Sequence, residues 1–252
     1  MKAVQLLACA AALFAVAGCN KTQDNAASNP PIKLEQIKPP AGSDWTQVVT
    51  ATPAGGFLMG NPNAKVKLIE IGALTCPHCR AFDEKGVPTL VDTYVKSGQV
   101  SWEFRSYLLH GLDVPANLIV RCNGAATFFP LMRAMYKDQI SWIERVQGAP
   151  EDQLKAAQNL PPNRQFLELA KLAGFPDWAA LRGVPQEKSA ACLVNTGEVD
   201  RLVQMTADVQ SQYPDFKGTP AFVINGALVD LGPVTEDQVW PALERKIREA
   251  LR

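Results

Sequence analysis

Val66 to Cys79 reads VKLIEIGALTCPHC, and this stretch decides the fold. Val66 to Ile71 is a β-rich run of central-strand length. Two cysteines follow, two residues apart, in Cys76-Pro77-His78-Cys79. A helical pattern then runs from about Pro77 to Ser97, with a kink expected at Pro88. Val100 to Leu109 (VSWEFRSYLL) reads as a second strand. A strand–helix–strand unit of this kind closes by a right-handed crossover and makes a parallel pair. Upstream, residues 48–51 and 57–59 read as short strands about a turn at Pro53-Ala54-Gly55-Gly56, and Asn61-Pro62-Asn63 breaks the chain again.

The chemistry lies in the CPHC element. A cysteine at a helix N-terminus meets unpaired N–H groups and the positive end of the helix dipole, which stabilise its thiolate. Pro77 suits the first turn, where its missing N–H costs nothing, and His78 adds a donor or a positive charge beside the same sulfur. A stabilised thiolate is a good leaving group and favours the reduced form, so such a pair oxidises other thiols. Two plainer readings stand beside this one. Structural zinc wants four ligands, commonly from two such pairs; here Cys122 and Cys192 are isolated, and His110 is the only other histidine. A static disulfide fits poorly with a strand–CxxC–helix context.

Beyond Leu109 the pattern changes. From Pro115 to about Asn195 the chain is rich in Ala, Leu and helix formers, with breaks at Gly148-Ala149-Pro150, Pro161-Pro162, Gly174-Phe175-Pro176 and Gly183-Val184-Pro185. This is an all-helical subdomain. Thr196 to Tyr213 continues as a helix with Val199, Leu202, Val203, Met205 and Val209 roughly on one face. Gly218-Thr219-Pro220 then precedes a strand over Ala221–Ile224. Asn225-Gly226 is a hairpin signal, Ala227 to Leu231 pairs back, and a last helix starts at Thr235, with a kink expected at Pro241. Trp102, Phe104, Phe128, Phe129, Trp142 and Trp178 read as core.

The N-terminus is a targeting segment. Lys2 precedes an apolar run over Val4–Ala17 that is short for a bilayer span and reads as a signal peptide. Val16-Ala17-Gly18-Cys19 resembles the bacterial lipobox, which makes Cys19 a candidate lipid anchor; cleavage after Ala17 is the alternative. The polar, Pro-rich stretch that follows reads as a flexible tether. The expected layout is therefore signal peptide 1–18, tether 19–43, strands and the CPHC half 44–110, helical insertion 111–195 and a second half 196–252. Lys+Arg and Asp+Glu both number 25 among 252 residues, so no basic excess points to nucleic acid. Cys122 and Cys192, near the two ends of the insertion, read either as buried free thiols or as a structural disulfide, the reading preferred for an exported chain.

The segments GNPNAKVKLIEIGALTCPHC (Gly60–Cys79) and GTPAFVING (Gly218–Gly226) resemble the DsbA family of thioredoxin-fold proteins, and the resemblance extends over most of Gly56 to Arg252. It implies an α/β thioredoxin fold with an inserted helical subdomain. It implies that Cys76 is the exposed nucleophile, Cys79 the buried resolving cysteine and His78 the thiolate-stabilising histidine. Thr219 and Pro220 match the loop that carries a cis-proline and pairs with client peptide. Glu70 matches a buried acid that accepts a proton from Cys79; its plainer reading is a charge facing out of the sheet. Activity would need no metal or other cofactor. Expected partners are reduced exported proteins and a DsbB-like membrane oxidant, with a monomeric, lipid-anchored enzyme in the periplasm. One departure is Thr219 where familiar oxidases carry Val. Thr is usual in isomerases and in several other DsbA-like branches, so an isomerase or reductase is the alternative role. A copper(I)-carrying thiol protein is a more distant one, since soft thiolates suit that ion.

Overall fold

The computed structural model describes residues 29–30 and 32–252. The expected signal peptide and the candidate anchor Cys19 lie outside the described residues. The sheet order is β1-β2-β4-β3-β5-β6. Its strands are β1 (Val49–Ala51), β2 (Phe57–Met59), β3 (Val66–Gly72), β4 (Val100–Ser106), β5 (Ala221–Ile224) and β6 (Ala227–Leu228). β3 is central, parallel to β4 and antiparallel to β5. The β5–β6 hairpin turns at Asn225 (φ 50°) and Gly226 (φ 90°), the left-handed pair that the Asn-Gly signal predicts.

Between β3 and β4 lies the first helical segment, in three pieces: α1 (Pro77–Lys85), α2 (Val87–Thr89) and a π turn over Leu90–Val95. The break falls at Gly86, ahead of Pro88, whose missing N–H is tolerated in a first turn. The insertion comprises α3 (Asp113–Val120), α4 (Ala125–Lys137), α5 (Gln139–Gln147), α6 (Glu151–Gln158), α7 (Pro162–Ala173), α8 (Phe175–Ala180) and α9 (Gln186–Leu193). α10 (Thr196–Gln212) returns to the sheet, and α11 (Val239–Ala250) closes the chain. No helix among the described residues is long and apolar enough to cross a membrane.

The alternation of β3 sorts its side chains. Val66 and Leu68 enter the main core with Trp102, Phe104, Phe128 and Phe129, whereas Ile71 joins Tyr107, Val209 and Val223 in a second cluster. Gly72 is required by close approach: a Cβ there would lie 2.6 Å from the Phe104 ring.

Some sequence expectations need correction. Val203 is 54% exposed, so the buried stripe of α10 is Leu202, Met205 and Val209. Pro241 lies in the first turn of α11 and not in its interior, a position where its missing N–H interrupts no hydrogen bond within that helix. β4 ends at Ser106 and β6 at Leu228. Trp178 is only half-buried, with its indole N–H donating to Asp138 at 2.8 Å. The described part of the expected tether lies against the molecule. Ile37 N–H donates to the Ser97 carbonyl, Trp45 Nε1 to the Ile37 carbonyl, and Asn29 to Glu244. Ile32 and Leu34 pack on the main core. Enough apolar surface is buried there to dock a segment that composition alone marks as free.

Candidate active site

Cys76 is the N-cap of α1 and Pro77 its first residue. The Cys79 backbone N–H donates to Cys76 Sγ at 3.4 Å, an orphan helix donor turned onto the sulfur. Both thiols are free; Cys76 is 4% exposed and Cys79 fully buried. Cys76 also donates to the carbonyl of Thr219 at 3.2 Å, across 143 residues of sequence. The Thr219–Pro220 bond is cis.

The electrostatics separate the two sulfurs. A hydrogen bond from the Cys79 thiol is the largest influence on Cys76. Against the opposing effect of burial, and helped by the Thr219 side chain and the N–H groups of Cys79 and His78, it brings the Cys76 pKa to about 6. Burial pushes Cys79 well above the ordinary thiol range, reinforced by Cys76 and Glu70. One cysteine is thus ready to ionise while its neighbour holds its proton.

Glu70 does not face out of the sheet. It lies on β3 between Phe104 of β4 and Phe222 of β5, and is 1% exposed. Burial raises its pKa well above the usual carboxylate range, Asp83 adds to the rise, and the Trp102 indole N–H, donating at 3.1 Å, opposes it. Asp83 lies one turn beyond Cys79 on α1. Burial lifts its pKa to about 6 against the pull of Arg133, whose Nε is 3.1 Å away.

His78 departs from the expected geometry. Its imidazole Nδ1 lies 3.5 Å from Glu236 Oε2, and its favourable action on Cys76 comes through the backbone N–H. Cys122 and Cys192 are bonded to each other, away from this site, with half-buried sulfurs. They are therefore not available as ligands beside Cys76 and Cys79. No group of three or more His, Cys, Asp or Glu side chains among the described residues is placed to hold a metal.

Three side chains from the insertion hold the loop before Cys76, and none was singled out in the sequence. Tyr136 donates to the Ala73 carbonyl at 3.1 Å. Gln139 Nε2 donates to the carbonyls of Leu74 at 2.7 Å and Cys76 at 2.9 Å. Asp113, fully buried, accepts from the Thr75 N–H and hydroxyl and from the N–H groups of Leu109 and His110. Polar residues inside apolar helices were the available signal, but nothing local says which loop they meet. At the Thr219–Pro220 loop a cavity of about 560 Å³ opens, lined by His78, Phe216, Thr219, Pro220, Leu231 and Val239 among others.

A family model described as thioredoxin matches residues 52–245. Proteins assigned as protein-disulfide oxidoreductases in Rickettsia felis and Rickettsia bellii are 24% and 23% identical to the chain. The matches cover 91% and 87% of this chain and 73% and 75% of those proteins. Among solved structures, a protein-disulfide isomerase from Novosphingobium aromaticivorans superimposes with a TM-score of 0.69 at 29% identity, over 75% of this chain and 96% of that one. Wolbachia pipientis alpha-DsbA1 shares the fold, with a TM-score of 0.59 at 20% identity, over 79% of this chain and 92% of its own.

Proposed function

Because the chain belongs to the thioredoxin family and is a protein-disulfide oxidoreductase of the DsbA-like kind, we propose that it works as an oxidase, donating the Cys76–Cys79 disulfide to exported proteins. The observation that carries this reading is the contrast of the two thiols: Cys76 lowered to about 6, Cys79 buried and raised. The reduced pair is stabilised by its thiolate, so the disulfide is readily given up.

The exchange runs in two steps. A client thiolate attacks Cys76 Sγ of the oxidised pair, the S–S bond breaks, and its electrons leave on the Cys79 sulfur. Cys79 then takes a proton, for which neutral Glu70 is the buried donor. A second client thiolate attacks the client sulfur of the mixed disulfide, and Cys76 departs as its stabilised thiolate. The client has lost two electrons and gained a disulfide; the pair has gained them. Thr219 and Pro220 border the cavity that receives the client chain, where the Thr219 backbone pairs with an extended peptide. Reoxidation falls to a DsbB-like membrane partner. The enzyme acts in the periplasm as a monomer, held at a membrane by a lipid on Cys19.

Equilibration of the pair against glutathione tests the proposal. A reduction potential near about −120 mV supports disulfide donation, and one near about −270 mV, as in thioredoxin, overturns it in favour of a reductase. Thr219, together with the likeness to a protein named as an isomerase, favours isomerisation as the second reading. Recovery of activity from a scrambled client without added oxidant distinguishes it.

A further inference from the structure

The charged side chains beside the active-site cysteines form a connected set. His78 Nδ1 approaches Glu236 Oε2 at 3.5 Å, Glu236 Oε1 accepts from Lys85 Nζ at 2.9 Å, and Lys85 also donates to Asp237 at 2.6 Å. Glu236 is well anchored. It opens a 3-10 turn over Glu236–Gln238, which a reciprocal Thr235–Gln238 capping box holds in place. Lys85 keeps its carboxyl below the usual range, so it is ionised at neutral pH. The His78 side chain, by contrast, is 67% exposed. Packing does not fix its rotamer, and Glu236 is the acceptor that its Nδ1 approaches. Among the described residues, the imidazole makes no hydrogen bond to Cys76.

We propose that Glu236 is a positioning residue that engages the His78 imidazole and withholds it from the Cys76 sulfur, setting how strongly the pair oxidises its clients. The proposal rests on Cys76 and Cys79 being the exchanging pair. Its physical basis is a competition between two acceptors for one donor. An imidazole N–H, or an imidazolium, beside a thiolate stabilises it and makes the disulfide more oxidising. Glu236 offers that donor a fixed carboxylate. A carboxylate's own field, where it reaches a thiolate, acts in the same direction, since like charge disfavours ionisation. Both consequences of Glu236 therefore have the same sign. The other charged groups facing the cavity are Asp215, Lys217 and Asp230, with Lys85 and Asp237 at its flank. The Lys85–Asp237 contact remains when Glu236 is removed, so the turn stays docked on α1.

The test uses the full chain with Glu236→Ala and Glu236→Gln, each in the native and the His78→Ala backgrounds. The Cys76 pKa is read from thiolate ultraviolet absorbance, and the redox equilibrium from exchange with glutathione. Glu236→Ala should lower the Cys76 pKa and shift the equilibrium toward the reduced pair by about threefold to tenfold. Glu236→Gln, which loses the charge but keeps an acceptor, should fall between Glu236→Ala and the native protein. In the His78→Ala background most of the shift should vanish. A shift of undiminished size without His78 would overturn the proposal in favour of a direct field, and a change in stability with no change in Cys76 pKa would reduce Glu236 to a structural contact. Failure of the pair to exchange with glutathione at all would sink the oxidoreductase reading instead, while the Cys76 titration would still report on Glu236.

Discussion

Two pairs of cysteines among the described residues have opposite fates. Cys76 and Cys79 lie a single helical turn apart at the start of α1, with both thiols free. Cys122 and Cys192 stand 70 residues apart and are bonded. The first pair is surrounded by devices that separate its two ionisations: a helix N-terminus that favours the Cys76 thiolate, and burial with a nearby acid that keep the proton on Cys79. The second joins the end of α3 to α9, with no such asymmetry described around it. What makes a cysteine pair reactive is its unequal surroundings.

The sharpest way to break this comparison is to remove one cysteine from each pair. Cys76→Ser should abolish client oxidation, with a loss of at least about a thousandfold in rate, while Cys122→Ser should leave turnover measurable in an oxidation assay. If Cys122→Ser silences the enzyme equally, the distinction between the pairs collapses.

The titration of the first pair gives the next largest effect. Thiolate absorbance of the reduced protein should rise with a midpoint near the Cys76 value of about 6, whereas an ordinary thiol titrates near 9. The sign of the linked stability follows. Between those two values the unfolded chain holds the proton and the folded chain does not, so stability of the reduced protein rises with pH through this window. It is fully present above 9 and lost as pH falls through about 6. The oxidised protein should lack this slope, which paired denaturation curves would reveal.

Replacing both Cys122 and Cys192 by Ala should cost about 4 kcal/mol in the loop-entropy model. The thermal midpoint should fall by roughly 5–15 °C, with the Cys76 titration unmoved. A shifted Cys76 midpoint would mean that the cross-link reaches the active site through the Tyr136 and Gln139 contacts.

Glu70→Gln should give a smaller, two-sided effect. Formation of the mixed disulfide near pH 7 should slow, by roughly tenfold to a hundredfold, because the departing Cys79 sulfur loses its proton donor. Stability should rise at the same pH. Native Glu70 holds its proton to a higher pH than the unfolded chain does, so it weakens the fold increasingly as pH rises above about 4.5. A variant less stable at neutral pH would show that the Trp102 hydrogen bond outweighs the cost of burial.

Much of this was legible before any coordinates. The VKLIEIG strand, the CPHC turn, the Asn-Gly hairpin and the helix breaks rest on local rules, and the structure places strands, turns and helices there. Helix interiors were harder. Val203 fitted the apolar stripe of α10 by period alone, yet it faces solvent, because the sheet covers only part of that stripe. Glu70 could be read in two ways because alternation reveals a face but not what covers it.

The sequence by itself determined the CPHC pair at a helix start, the order of strands and helices, and the ends of most helices, because those depend on residues within a turn or two of one another. The tertiary structure decided what the pair can do. Thr219 meets Cys76 across 143 residues, and Asp113, Tyr136 and Gln139 reach back from the insertion to hold residues 73–76. Trp102 caps Glu70 from the neighbouring strand, and Glu236 draws His78 aside. Thiol reactivity is a sum of desolvation, hydrogen bonds and charges over whatever lies within a few ångströms, and those neighbours come from parts of the chain that only folding brings together.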